Sequence, residues 1–288
     1  MLGAAKGGMS LVTTGGAYGV VGMTLAGTST PSSYHTNSLF FKPDGLSIFA
    51  GDYDNALANI YEFNLTTAWD ISTLSTTPDV TYDASSDVSE VSESTYNQFT
   101  GVSLSKDGLK MIGYYREDNT FYEFDLSPAW DLSSATLTDT LTASASAVPM
   151  AGMTFSLDGK YAYGAYRTGN SDVWQFEFST GFDLSTLTSQ SSSWTNLATV
   201  GDITTWAISP NGEYAYCQNY STDAIWVGKL STPFDLEGSF SYSGSNLVIP
   251  SSTSTPSGLY IRQDEKYLYM ADANGYIRQY NLINDPDY

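Results

Sequence analysis

One short pattern recurs five times along the chain at near-constant spacing: a strand, an Asp-Gly-like turn, two Tyr-rich strands, a Leu or Phe, then an aromatic-Asp pair. The turn reads Asp44-Gly45, Asp107-Gly108, Asp158-Gly159, Asn211-Gly212 and Asp264-Glu265, so its first members are 63, 51, 53 and 53 residues apart. A second marker, Leu65, Leu126, Phe178, Leu230 and Leu282, steps by 61, 52, 52 and 52. Two markers that keep step argue for duplication of one supersecondary unit. The pairs Trp69-Asp70, Trp130-Asp131, Phe182-Asp183 and Phe234-Asp235 follow the second marker, and in the fifth unit Asp287 holds the Asp place.

Each unit reads as four short strands. In the third, Gly152 to Ser156 precedes the turn, and Lys160 to Tyr166 follows it with alternating polarity. Val173 to Phe178 alternates again, and the Ser/Thr-rich stretch 184–195 supplies an outer strand. Asp-Gly or Asn-Gly between alternating segments signals a hairpin, read here as a two-residue turn that needs positive φ. No segment carries a helical period. Four-stranded units of about 50 residues repeated around an axis make a β-propeller. The expected fold is therefore all-β, a β-propeller of five four-stranded blades.

The fifth unit stops before its outer strand, which would leave a sheet edge open. Residues 19–28 can fill that place: they lead into Thr28-Ser29-Thr30-Pro31-Ser32, a string repeated at Thr253-Ser254-Thr255-Pro256-Ser257 after the outer strand of the fourth unit. Closure of the last blade by an N-terminal strand protects the edge and ties the two ends of the ring together. An additional blade built from residues 1–38 would lack both the turn and the Tyr-rich pair. The expected organisation is a Gly-rich arm or anchor over 1–18 and a propeller over 19–288. Its repeats fall near 39–100, 101–151, 152–204, 205–257, and 258–288 plus 19–28. The one long insertion, residues 85–94, is acidic and Ser-rich, and accounts for the wide first spacing.

Charge and composition bound the function. With 31 acidic against 11 basic residues the formal net charge is −20, which repels phosphate backbones and anionic lipid, so nucleic-acid and membrane-surface partners are not expected. No run reaches the ~18 apolar residues of a membrane span. Lys6 followed by the apolar stretch to residue 27 imitates a weak signal peptide, but blade closure claims residues 19–28 instead. Cys217 is the single cysteine and sits on an alternating strand, so it reads as a small buried hydrophobe. His35 is the single histidine, in the polar stretch Ser33-Tyr34-His35-Thr36, which disfavours His-based metal centres and Ser-His-Asp or Cys-His catalysis. The acids recur with the repeat, whereas a catalytic pair in a propeller should break it at one place. No cofactor is expected.

The aromatic-Asp pair reads as a structural device, the ring packing between blades and the Asp accepting hydrogen bonds from amides just beyond it. Ile71, Leu132, Leu184 and Leu236 follow as apolar plugs. Candidate ligand residues lie in the loops between the second and third strands: Asp52, Tyr53 and Asp54; Tyr115 and Asp118; Tyr166 and Asn170; Tyr220 and Asp223; and Asp272. A Tyr ring beside Asp or Asn suits a sugar, flat under the pyranose with acceptors for its hydroxyls. Calcium held by Asp52 and Asp54 is a lesser reading there.

Taken together, Phe-x-x-Asp-Gly, Tyr-x-Tyr and Leu-Ser-Thr-Pro-Phe-Asp-Leu, as in Leu230 to Leu236, or Leu126-Ser127-Pro128-Ala129-Trp130-Asp131-Leu132, resemble propeller repeats in structural proteins of tailed bacteriophages and in some large bacterial surface proteins. The resemblance covers residues 38–288. It implies a virion component, in a tail, fibre or capsid decoration, with no catalytic motif to carry over. Its expected partners are other virion proteins, met through the N-terminal arm within an oligomeric assembly, and host-surface glycan. A lectin-like propeller on a secreted or surface protein is the alternative. A lactonase-like hydrolase is a third reading, for which metal-binding acids or histidines at unrepeated positions would be required.

Overall fold

The structure, a computed structural model, describes residues 23–29, 34, 36–52, 58–88, 98–144, 150–165, 173–193, 202–220, 222, 224–236, 240–248, 256–272 and 274–282. The arm 1–18 lies outside the described residues. Strand β1 is Thr24–Thr28. The first blade holds β2 (Phe40–Phe41), β3 (Ser47–Gly51), β4 (Asn59–Asn64) and β5 (Val80–Asp83). The second holds β6 (Phe99–Leu104), β7 (Lys110–Tyr115), β8 (Thr120–Asp125) and β9 (Thr136–Thr142). The third holds β10 (Gly152–Phe155), β11 (Tyr161–Ala165), β12 (Val173–Phe178) and β13 (Leu187–Ser193). The fourth holds β14 (Ile203–Ile208), β15 (Tyr214–Asn219), β16 (Ala224–Leu230) and β17 (Phe240–Val248), and the fifth β18 (Pro256–Ile261), β19 (Tyr267–Asp272) and β20 (Ile277–Asn281).

These strands form five four-stranded sheets, and the last has the order β1-β20-β19-β18. Strand β1 runs antiparallel to β20, with Leu25 opposite Tyr280 and Thr28 opposite Arg278. The N-terminal strand therefore completes the last blade, as the interrupted fifth repeat implies. Innermost strands meet around an axis: a Cβ on Gly152 would fall 2.2 Å from the Thr204 carbonyl, and one on Gly258 would fall 3.0 Å from Ser38, which closes the circle from fifth blade to first. The chain is a five-bladed β-propeller. Neighbouring strands in each blade are antiparallel, so the turns after the first strand and the connections after the third share one end, the turn end. Connections after the second and fourth strands share the other, the loop end.

The recurrent turn differs from the two-residue form expected. Lys42 and Ser47 pair across it, and the Gly45 N–H donates to the Lys42 carbonyl at 2.8 Å, so four residues make the connection; the other blades repeat both bonds. Only the third of these residues takes positive φ, at 74° for Gly45 and 73° for Gly108. The preceding side chain locks the turn, since Asp44, Asp107, Asp158, Asn211 and Asp264 each accept from the backbone N–H two residues on.

A second constraint holds glycine there. The aromatic of the aromatic-Asp pair lies directly on it: a Cβ on Gly108 would meet the Trp130 ring at 2.2 Å, and one on Gly159 the Phe182 ring at 2.2 Å. These aromatics are themselves left-handed, with φ of 64° at Trp69, 66° at Trp130, 56° at Phe182 and 66° at Phe234. Such a backbone strains a bulky residue, and the bond from the Trp130 N–H to the Gly108 carbonyl, 2.9 Å, helps to hold it. The rings also reach the preceding blade, Phe234 stacking on Tyr161 at 5.4 Å and Trp69 lying under the Arg262 guanidinium at 4.9 Å. After Asp70, Asp131 and Asp183 come one-turn 3-10 segments, Ile71–Thr73, Leu132–Ser134 and Leu184–Thr186, whose first residues are buried.

A polar clamp joins blades at this end. The buried Glu123 carboxylate on β8 accepts from the Leu184 N–H of the next blade at 2.9 Å, and Gln175 on β12 accepts from the Leu236 N–H at 2.9 Å. The corresponding place on the third strand of the other blades holds Glu62, Val227 and Gln279. At the clamp itself an amide thus serves, while the Glu123 carboxylate also receives the Lys110 ammonium, which Asp125 shares. Accordingly, Glu123→Ala is expected to cost about 2 kcal/mol, the desolvation cost of a stranded N–H, while Glu123→Gln costs well under half of that. Denaturant melts of the two variants would check the ordering.

Candidate functional site at the loop end

Eight residues after the turn Asp or Asn the sequence places Asp52, Tyr115, Tyr166, Asn219 and Asp272; Tyr115, Asn219 and Asp272 are the last residues of their strands, and Asp52 directly follows β3. Asp52 is 1% exposed and points inward, accepting from the Tyr61 hydroxyl at 2.9 Å. Asn59 donates to the same hydroxyl at 3.3 Å, and the Tyr34 ring meets Tyr61 edge-on at 5.3 Å. Burial first, and the Asp52 carboxyl next to it, push the Tyr61 hydroxyl well above the usual phenol range.

Asp272 is wholly buried. One carboxylate oxygen accepts from the Asn274 and Tyr276 N–H groups at 2.9 and 3.2 Å, closing the turn into β20. The other receives Arg278 Nη1, whose guanidinium lies 5.1 Å from the centre of the Tyr276 ring. Asn219 performs the same turn closure in the fourth blade, accepting from the Thr222 N–H at 2.7 Å.

Tyr115 is a strand residue, fully buried and packed on Phe99 at 5.2 Å and Tyr122 at 6.3 Å. Asp118 is half-buried in the β7–β8 turn and accepts from the Tyr122 hydroxyl. Tyr220 is half-buried at the end of β15, its N–H bonded to the Asp202 carbonyl at 2.8 Å. Tyr53, Asp54, Tyr166, Asn170 and Asp223 lie outside the described residues. The expected arc of solvent-facing Tyr and Asp groups thus takes a correction at three members: Asp52, Tyr115 and Asp272 are interior groups. Strands β7 and β19 continue through Tyr115 and Asp272, Asp52 directly follows β3, and all three side chains are buried.

Closer to the axis lies a set of residues that sequence reading passed over. Seven residues before the turn stand Asn37, Thr100, Ala151, Thr204 and Ser257, polar in four blades of five. Asn37 donates to Gln98 at 2.8 Å, Thr100 to the Met150 carbonyl at 3.1 Å, and Ser257 to the Thr36 carbonyl, each crossing to the next blade. The polar offset within an otherwise apolar strand was the available signal. Below it, Ser38, Val102, Met153, Thr205 and Gly258 enclose an axial space of ≈ 40 Å³ open to the centre of a water molecule, room for a few waters and too small for a sugar ring. Among the described residues no three His, Cys, Asp or Glu side chains gather as metal ligands. Cys217 is buried beside Trp206, and burial raises its thiol far above the usual range, away from the reactive thiolate.

No protein-family description matches the chain, and no curated protein matches it. Among solved structures, a candidate 6-phosphogluconolactonase from Bacteroides uniformis aligns at 20% identity over 77% of this chain and 59% of its own, with a TM-score of 0.44. This chain thus spans less than two thirds of that protein. The Cps50 (Swd1) β-propeller domain of Myceliophteria thermophila aligns at 9% identity over 91% of this chain and all of its own, with a TM-score of 0.49.

Proposed function

We propose that the chain is a non-enzymatic structural component of a phage virion, a tail, fibre or capsid-decoration propeller mounted through residues 1–18 on neighbouring virion proteins. The observation that carries the non-enzymatic reading is the use made of the acids. Asp44, Asp107, Asp158 and Asp264 cap turns, Asp52 receives the Tyr61 hydroxyl, Asp272 closes the turn into β20, and Glu123 clamps blades. The same side chains that could have served as acid, base or ligand are engaged by the repeat itself. The likeness of the repeat to propellers of tailed-phage structural proteins supports the virion setting, and the formal net charge of −20 favours protein over nucleic-acid neighbours. Sugar binding at the loop end is the weaker reading, because Asp52, Tyr115 and Asp272 are interior.

Mass spectrometry of gradient-purified particles tests the proposal. The chain is expected at a fixed copy ratio to the major capsid protein. Its absence from particles that are otherwise complete would overturn the virion assignment and place the propeller on a cell surface or in the medium.

A further inference from the structure

Two Asn-Gly pairs occur in the chain, Asn211-Gly212 and Asn274-Gly275, and both asparagines are exposed. Asn-Gly is prone to cyclise, because glycine leaves its backbone nitrogen unshielded and free to take the conformation that ring closure requires. The Gly N–H gives up its proton and the nitrogen bonds to the Asn Cγ, closing a succinimide. The side-chain nitrogen takes up a proton and leaves as ammonia. Water then opens either carbonyl of the ring, giving aspartate or isoaspartate. A folded chain meets two demands before this can happen: the Gly N–H is released from its acceptor, and the carboxamide swings over it.

At Asn211 both demands are resisted. The Gly212 N–H donates to the Ser209 carbonyl at 2.8 Å, and Asn211 Oδ1 accepts from the Ser209 hydroxyl at 2.7 Å and from the Glu213 N–H at 3.0 Å. The Phe234 ring also lies on Gly212, 2.5 Å from where a Cβ would stand. Three hydrogen bonds of a packed turn therefore open before Cγ reaches the nitrogen.

At Asn274 the turn is held by other atoms. Asp272 Oδ1 accepts from the Asn274 and Tyr276 N–H groups, and the Asp272 carbonyl accepts from the Gly275 N–H at 2.9 Å. Among the described residues the Asn274 carboxamide makes no hydrogen bond. One bond, that of Gly275, has to open. Gly275 takes φ of 78°, so the turn itself keeps glycine at the place that makes the pair reactive.

We infer that Asn274-Gly275 is a self-modifying site of the folded chain, where Asn274 loses ammonia to become aspartate and isoaspartate, and that Asn211-Gly212 is held unreactive by its turn. The consequence falls on the last blade. Isoaspartate puts one more methylene into the main chain between the two N–H groups that Asp272 Oδ1 holds, so the cap beside the buried Asp272–Arg278 pair loosens as the chain ages. At Asn211, conversion to aspartate would only supply the residue that the other four blades carry there.

The test incubates the full chain in mildly alkaline buffer, folded or unfolded in urea, and digests it with trypsin, which puts the two asparagines in separate peptides, 168–229 and 267–278. Fragment masses read the conversion at each asparagine, and isoaspartate-specific methylation reads the isoaspartate share. On folding, the ratio of Asn274 to Asn211 conversion is expected to rise at least about tenfold over its value in urea. An unchanged or reversed ratio, or an Asn274 that stays intact in the folded chain while the unfolded chain converts, overturns the inference. Aged wild type is expected to unfold at lower urea than fresh protein, whereas Asn274→Gln, which closes the ring far more slowly, keeps its midpoint on ageing. Equal midpoints for aged wild type and aged variant would overturn the loosening of the Asp272 cap.

Discussion

A chain lacking residues 1–28 is expected to lose the single cooperative unfolding transition of the propeller and to associate through the edge it exposes, whereas a chain lacking only 1–18 keeps its midpoint. The difference is β1. Its residues pair with β20 from Thr24–Asn281 to Thr28–Arg278. Met23 is buried in the apolar cluster between the fourth and fifth blades. At about 1 kcal/mol per net hydrogen bond plus the apolar area lost, the deletion removes on the order of 5 kcal/mol, a large part of the stability of an ordinary domain. It also leaves an unpaired edge on β20. Tryptophan fluorescence during heating, with size-exclusion chromatography, reads both effects. A monomeric 29–288 chain melting like the full protein would show that β1 is not needed for closure.

Asp272→Ala should be the most damaging single substitution at the loop end, at about 3–5 kcal/mol, the cost of stranding one member of a buried ion pair. Arg278 is 8% exposed and keeps its guanidinium wherever Asp272 is removed. The two N–H groups that Asp272 caps are stranded as well. Adding Arg278→Met is expected to restore more than half of the loss, because an apolar side chain of similar length no longer demands a counter-charge. Asp52→Ala provides the contrast: its partner is the neutral Tyr61 hydroxyl, so about 1–2 kcal/mol is expected. Urea titrations of the four proteins would measure the ordering, and equal losses at Asp52 and Asp272 would contradict it.

The architecture was legible in the sequence because the Asp-Gly turn and the Leu marker keep step, and the repeated Thr-Ser-Thr-Pro-Ser string located the closing strand. Residues 24–28 of the 19–28 stretch form it. Less legible was what depends on three-dimensional approach. Trp69, Trp130, Phe182 and Phe234 gave no local sign of positive φ, since the conformation is held by the ring lying on a glycine more than twenty residues earlier. The fifth turn is the exception: Glu265 takes φ of 56° without being glycine, and in that unit the sequence has Pro286 where the other four have the aromatic. At the loop end, the point where a strand gives way to its loop separated a correct reading from an incorrect one. Tyr115 looked like a loop tyrosine because Tyr-Tyr-Arg-Glu-Asp-Asn is polar overall, yet β7 continues through it and alternation sends its ring inward.

The clamp that ties the second blade to the third and the third to the fourth has no side-chain acceptor at the next step round the ring. Glu123 and Gln175 each face a backbone N–H of the next blade, while the equivalent residue of the fourth blade, Val227, packs with Met23 and Tyr280. The blade after it is the one whose third and fourth strands, β20 and β1, come from opposite ends of the chain. Circular permutation would therefore be unequal around the ring. New termini cut between β12 and β13 would free the segment whose Leu184 N–H Glu123 holds, whereas a linker placed between β20 and β1 would face Val227, which has no side-chain acceptor.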